Sequence, residues 1–266
     1  MDKDILRILS LKTGLGMNYL SKEEKISALL SELSGRLPEE YVLKGGTALN
    51  RIYLQKQGVG RFSEDIDLDL VSTQTLDKKI EETRKMMNGV NGFEIGTARL
   101  MHRTLRFDCS YQNELGVKDL IRMEFYLSHD KLACAKKPEK TLISSAYAPS
   151  KSAFFNTYSL EDLLAGKILA LYSRTEGKDV YDVFYGLETD YDRNMLKNAL
   201  KIQAEFYKIK ESPNELLRKT AEKLGTIATK SKYVGNSTNH YIPQKMRPDW
   251  SIFIRTLKLK LADLKL

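Results

Sequence analysis

The sequence predicts an α+β protein: a mixed sheet flanked by helices over residues 1–150, then a mainly helical, basic domain over residues 151–266. Three observations carry this. Residues 65–70 alternate acidic and apolar side chains with period two, as a half-buried strand does. Runs at 93–98, 104–111 and 118–127 are β-prone and are parted by the turn signals Asn91-Gly92 and Asn113 to Gly116. From Ser159 onward helical spacing takes over, which puts a boundary near Pro149.

The elements follow in order. Ser21-Lys22-Glu23-Glu24 has the spacing of a capping box, and Ile26, Leu29, Leu30 and Leu33 continue it as one apolar stripe ending near Gly35 and Pro38. Tyr41-Val42-Leu43 is a short apolar strand broken by Gly45-Gly46, where glycine alone comfortably takes positive φ. Ala48, Leu49, Ile52 and Tyr53 then recur at helical spacing, placing Gly46 and Thr47 at a helix N-terminus. The unpaired N–H groups there favour an anion such as phosphate. In Asp65-Ile66-Asp67-Leu68-Asp69-Leu70 the three aspartates share one face. Carboxylates two residues apart on a strand lie about 6.6 Å from each other and repel by roughly 2.5 kcal/mol at an effective dielectric near 20. A divalent cation of the Mg²⁺ or Mn²⁺ type would relieve that repulsion. The alternative is a solvated acidic edge strand.

Residues 76–87 read as a charged helix. The strand Ile121–Leu127 sets Arg122, Glu124 and Tyr126 opposite its apolar residues. Ser159 and Asp162 again have capping-box spacing, and Leu160, Leu164, Lys167 and Leu171 lie along one helix face. A lysine in an apolar stripe must find an anion or snorkel out, because burying an unpaired ammonium is costly. Gly166 and Ala170 leave room beside it for a close approach. Val180, Val183, Phe184 and Leu187 mark the next buried face, with Asp179 and Asp182 bordering it one turn apart. Trp250 to Leu264 reads as an amphipathic helix, although Leu257 to Leu261 also fits a strand.

Composition is that of an ordinary globular protein: 42% hydrophobic and 29% charged over 266 residues. No apolar run is long enough to span a bilayer, and Met1-Asp2-Lys3-Asp4 lacks a signal peptide's layout, so a cytoplasmic protein without membrane contact is expected. Cys109 and Cys134 form no ligand spacing and imply no disulfide framework. The net charge of +8 is uneven: residues 197–266 hold fifteen Lys or Arg against six Asp or Glu, and the residues before them 28 against 29. A positive lobe in a chain with a phosphate-binding turn suits a polyanion such as RNA; a solvated helical surface is the alternative.

Lys44-Gly45-Gly46-Thr47-Ala48-Leu49 and Arg61-Phe62-Ser63-Glu64-Asp65-Ile66-Asp67-Leu68 together resemble the signature of the AbiEii/AbiGii-type toxins, a branch of the nucleotidyltransferases related to DNA polymerase β. The spacer of 17 residues between Thr47 and Asp65 is long for polymerase-β relatives and typical of this branch. The resemblance implies a nucleotidyltransferase-fold sheet and an NTP as substrate, bound through Lys44, Gly45, Gly46, Thr47 and Ser63. It implies Mg²⁺ or Mn²⁺ on Asp65 and Asp67, with Glu124 as the natural third carboxylate unless Arg122 and Glu124 only make pairs across the sheet. Lys167 resembles the family's downstream lysine and would hold the triphosphate. Lys178-Asp179-Val180-Tyr181-Asp182 resembles its arginine-aspartate-x-x-aspartate motif, with Lys178 in place of the arginine, which leaves open whether Asp179 or Asp182 acts. The resemblance further implies a toxin of a toxin–antitoxin or phage-defence system, a cognate antitoxin as partner, and the 3′ end of a tRNA as acceptor. A silent NTP- or RNA-binding module and a metal-dependent nuclease are the rivals from other classes. Intact Asp65 and Asp67 argue against the first, and a nuclease needs no triphosphate cradle.

Overall fold

The computed structural model describes every residue except 130 and 131. In chain order the elements are α1 (Lys3–Thr13), α2 (Met17–Ser34), β1 (Tyr41–Lys44), α3 (Gly45–Leu49), β2 (Asp65–Val71), α4 (Leu76–Met87), β3 (Glu94–Ile95), β4 (Arg99–Met101), β5 (Thr104–Gln112), β6 (Lys118–His129), β7 (Glu139–Ser145) and β8 (Ala148–Thr157). Six helices follow: α5 (Leu160–Ser173), α6 (Gly177–Gly186), α7 (Arg193–Phe206), α8 (Pro213–Ala228), α9 (Ser231–Thr238) and α10 (Trp250–Asp263).

The strands form one mixed sheet in the order β3-β5-β6-β2-β1-β8-β7, with β4 hydrogen-bonded to β5. β1 runs antiparallel to β2 and parallel to β8, and β2 runs parallel to β6. The acidic strand is therefore central, which excludes the solvated edge strand. Its alternation holds: Ile66 and Leu68 are fully buried while Asp65, Asp67 and Asp69 share the opposite face. The neighbours of Asp67 are set by register, with Lys44 opposite it on one side and Glu124 on the other.

Helix starts follow local chemistry where a capping side chain is present. Ser159 caps α5 by accepting from the Asp162 N–H, Asp192 caps α7, and Ser212 with Pro213 opens α8. The expected capping box at Ser21 is not the start of a helix. α2 already begins at Met17 after Gly16, and the Ser21 hydroxyl donates instead to Glu114 on the loop after β5. Sequence reading extends a strand over 93–98, where only Glu94–Ile95 pairs with β5, and misses the β7–β8 hairpin. β8 carries Lys151, Ser152 and Asn156 among its apolar residues, so its pattern is blurred, and its pairing with β1 is what makes it a strand. Leu257 to Leu261 lie within α10.

Two apolar cores meet in one helix. The first gathers α2, the β1–α3 turn and the sheet, ending at Leu163; the second runs from Leu164 to Leu264 through α5–α10. The boundary drawn near residue 150 thus falls inside β8, while the change of core comes within α5. α5 belongs to both, and it faces the β1–α3 turn. That placement builds the site. Among the described residues no helix is long and apolar enough to cross a membrane, and both cysteines are free thiols.

Candidate active site

Gly45 takes φ +71° at the end of β1, so the chain turns directly from strand into α3, which continues as a π-helical turn over Asn50–Leu54. A Cβ at Gly45 would stand 2.4 Å from Asp67 Oδ2. The glycine is therefore demanded twice, by backbone conformation and by the closeness of the aspartate. Thr47 is fully buried and its hydroxyl donates to the Asp65 carbonyl at 2.6 Å, lashing the turn to the start of β2. Its hydroxyl is thereby committed to the fold, as is that of Ser63, which reaches the same carbonyl at 3.4 Å.

The three aspartates of β2 have different surroundings. Asp69 is neutralised: Lys44 Nζ lies 2.5 Å from one oxygen, and the Tyr158 hydroxyl donates to the other at 2.5 Å. Among the described residues, the Asp65 carboxylate has only a 3.6 Å contact with Arg122. Asp67, among the described residues, has neither hydrogen bond nor ion pair. Burial, together with the charges of Asp65 and Glu124, pushes its carboxyl up to about 6, although Lys44 and Lys167 pull the other way. Such a carboxylate is chemically suited to a divalent cation, which Asp65 and Asp67 could hold. Glu124 shares their field from the neighbouring strand. Among the described residues, no three His, Cys, Asp or Glu side chains already converge as a metal cluster.

Lys167 finds its anions within the protein. Its Nζ lies 2.8 Å from Asp182 Oδ2 and 3.0 Å from Asp179 Oδ1. Asp182, fully buried, also receives two hydrogen bonds from Arg61, at 2.9 Å from Nε and 2.6 Å from the terminal nitrogen, and one from Asn50 Nδ2 at 3.1 Å. Despite burial, the Arg61 guanidinium and the Lys167 ammonium hold its carboxyl below the usual carboxylate range. Asn50 completes the link by donating to the Gly46 carbonyl at 2.9 Å and accepting from the Arg61 N–H at 2.9 Å. A Cβ at Gly46 would meet the Arg61 guanidinium at 2.9 Å. Lys167, Asp179 and Asp182 are thus joined with Arg61 and Asn50 in one network, with Asp182 at its centre and the Gly46 carbonyl at its rim. Asp179 binds Lys167 and the half-exposed Arg174, whose Nε lies 2.7 Å away.

A cavity of about 390 Å³ opens beside this network, lined by Gly45, Gly46, Lys44, Asp67, Lys167 and Arg174 on its charged side. α5 and α7 form the far wall, and the rings of Tyr126, Tyr158 and Tyr207 border it. Sequence reading missed Arg174, which follows Lys167 by seven residues and caps the C-terminus of α5 in an extended conformation. Tyr158 and Tyr207 gave no signal, because only tertiary packing brings them to Asp69 and Lys44.

A sheet with an acidic central strand, a glycine turn against it and a cationic cleft above is the arrangement of a nucleotidyltransferase-like protein. Solved structures agree on the fold. MenT4, a nucleotidyltransferase toxin from Mycobacterium tuberculosis, superposes with a TM-score of 0.64 at 18% identity, over 98% of this chain and 90% of that one. JHP933 from Helicobacter pylori gives 0.55 at 16% identity, over 93% and 94%. A putative nucleotidyltransferase from H. pylori gives 0.55 at 14%, over 95% and 100%. No curated protein is significantly similar in sequence. The family model described as "Nucleotidyl transferase AbiEii toxin, Type IV TA system" matches residues 28–263. The chain belongs to this AbiEii toxin family.

Proposed function

We propose that the protein transfers a nucleoside monophosphate from an NTP to a hydroxyl of an RNA acceptor, with the 3′ end of a tRNA as the acceptor the family resemblance favours. The observation that carries the reading is Asp67. It is pressed against Gly45 at the turn, close to two other carboxylates, and the cations nearest it are spent on Asp69, Asp179 and Asp182.

The backbone of Gly45 and Gly46 approaches the triphosphate, since no side chain stands in the way. Lys44, Arg174 and the remaining N–H of Lys167 offset its charge, Arg174 from a half-exposed position that a phosphate can reach. Asp182 acts through others: it fixes Arg61 and Lys167, and through Asn50 it fixes the turn. Asp65 and Asp67 would hold the divalent metal, Mg²⁺ or Mn²⁺, with Glu124 as the neighbouring carboxylate. When bound, such an ion would supply positive charge that lowers the acceptor's pKa and offsets charge developing on the phosphate. The acceptor oxygen bonds to the α-phosphorus, the bond to the β-phosphate oxygen breaks, pyrophosphate leaves and the acceptor's proton passes to solvent. Exposed Lys208 and Lys210, just beyond Tyr207 at the cavity, begin the basic surface on which RNA lies. In the cell this makes a cytoplasmic toxin restrained by a cognate antitoxin.

The test is incubation of the protein with α-labelled NTPs, Mg²⁺ and total RNA. Label should appear on RNA with the unaltered chain and vanish with Asp65→Asn or Asp67→Asn. Transfer that survives either change removes that residue from the chemistry; RNA shortening without NTP points to a nuclease.

A further inference from the structure

The wall of the cavity opposite the charged turn contains a polar group that the chemistry above leaves unused. Gln203 on α7 is buried, 8% exposed, and lines the cavity. Its Nε2 donates to the backbone carbonyl of Asp162 at 2.8 Å. A carbonyl only accepts, so turning the amide over would set two acceptors against each other. Gln203 Oε1 is thereby fixed as the atom left over, and among the described residues no donor reaches it. It stands 3.4 Å from where a Cβ of Gly166 would be. Gly166, in the middle of α5, costs helix stability relative to alanine, and what it provides is open space beside that oxygen. Tyr207, one turn after Gln203, sets an aromatic ring on the same side of α7, and Tyr126 faces it from the sheet, also on the cavity.

We propose that this slot receives the nucleobase of the NTP and that Gln203 Oε1 reads its far edge. The inference rests on the transferase reading and names its substrate class. With the ribose and phosphates toward Asp67 and Gly45, the group furthest from the sugar enters deepest: the 4-position of a pyrimidine or the 6-position of a purine. A fixed acceptor there bonds the amine of cytosine or adenine and opposes the carbonyl of uracil or guanine. The aromatic rings stack on either base without choosing between them. Gln203 is a specificity-determining residue.

The experiment titrates the full chain with ATP, CTP, GTP and UTP by calorimetry and measures label transfer from each. CTP or ATP should bind at least about tenfold more tightly than UTP and GTP. Gln203→Leu, which keeps bulk and loses the acceptor, should bring the four within about threefold of one another, and Gly166→Val should weaken all four. Equal binding of the four by the unaltered chain overturns the proposal without any variant, as does an unchanged preference in a folded Gln203→Leu protein, or no NTP binding at all. Binding that shows the preference without label transfer leaves the base slot standing and sinks the transferase reading. Transfer with no preference does the reverse.

Discussion

Replacing Asp67 by asparagine should make the metal-free protein more stable while abolishing its chemistry. Asp67 is ionised at neutral pH in the unfolded chain. In the fold it sits beside Asp65 and Glu124, with a carboxyl pushed up from 3.8 to about 6. Holding it ionised in the fold costs about 3 kcal/mol above the higher of these values, at roughly 1.4 kcal/mol per pH unit. The sign is the reverse of a salt-bridged aspartate. Between about pH 4 and pH 6 the native state binds the proton that the unfolded state releases, so stability falls as pH rises through that window and is flat beyond it. Asparagine keeps the shape and drops the charge. Urea unfolding in EDTA across this range should show the Asp67→Asn protein gaining about 2–3 kcal/mol over the unaltered one at neutral pH, with the curves converging in acid. Adding Mg²⁺ should narrow the gap by stabilising only the chain that retains the carboxylate. If the variant is no more stable at neutral pH, or if the two pH curves run parallel, Asp67 is not the uncompensated carboxylate described here.

Three further outcomes follow from the same geometry. Gly45→Ala places a methyl group 2.4 Å from Asp67 Oδ2 at φ +71°; a loss of at least about 1–2 kcal/mol is expected in urea unfolding, together with loss of NMP transfer. Asp182→Asn leaves Arg61 and Lys167 buried without their shared anion, for a loss of about 3–5 kcal/mol, whereas Asp65→Asn, one-third exposed and 3.6 Å from Arg122, should change stability by no more than about 0.5 kcal/mol. Both should stop label transfer, and equal unfolding midpoints for the two would refute the clamp role of Asp182. RNA affinity should fall steeply with salt, and Lys208→Ala or Lys210→Ala should each reduce the slope of log K against log salt by about 1; unchanged slopes place the RNA elsewhere.

Much of the site was legible in the chain because its signals are local. Period-two acids, a glycine pair between a strand and a helical pattern, and a lysine inside an apolar stripe are each visible within a few residues of sequence. That Lys167 needs an anion followed from its neighbours in the chain. Which anion it takes could not be read, since Asp179 and Asp182 come from the next helix and Arg61 from a loop more than a hundred residues earlier. The same limit separates the three aspartates of β2. Their alternation makes them equivalent in sequence, and only the approach of Lys44 and Tyr158 neutralises Asp69 while leaving Asp67 uncompensated. Strands β7 and β8 escaped for a related reason: a strand whose side chains do not alternate cleanly is defined by its neighbour's hydrogen bonds. Sequence alone determined the glycine turn, the acidic strand, the helical second half and the family resemblance, because those depend on spacing within a few residues. Tertiary structure decided which charges cancel and where Gln203 points, because Coulomb and hydrogen-bond energies depend on distances that chain order does not contain.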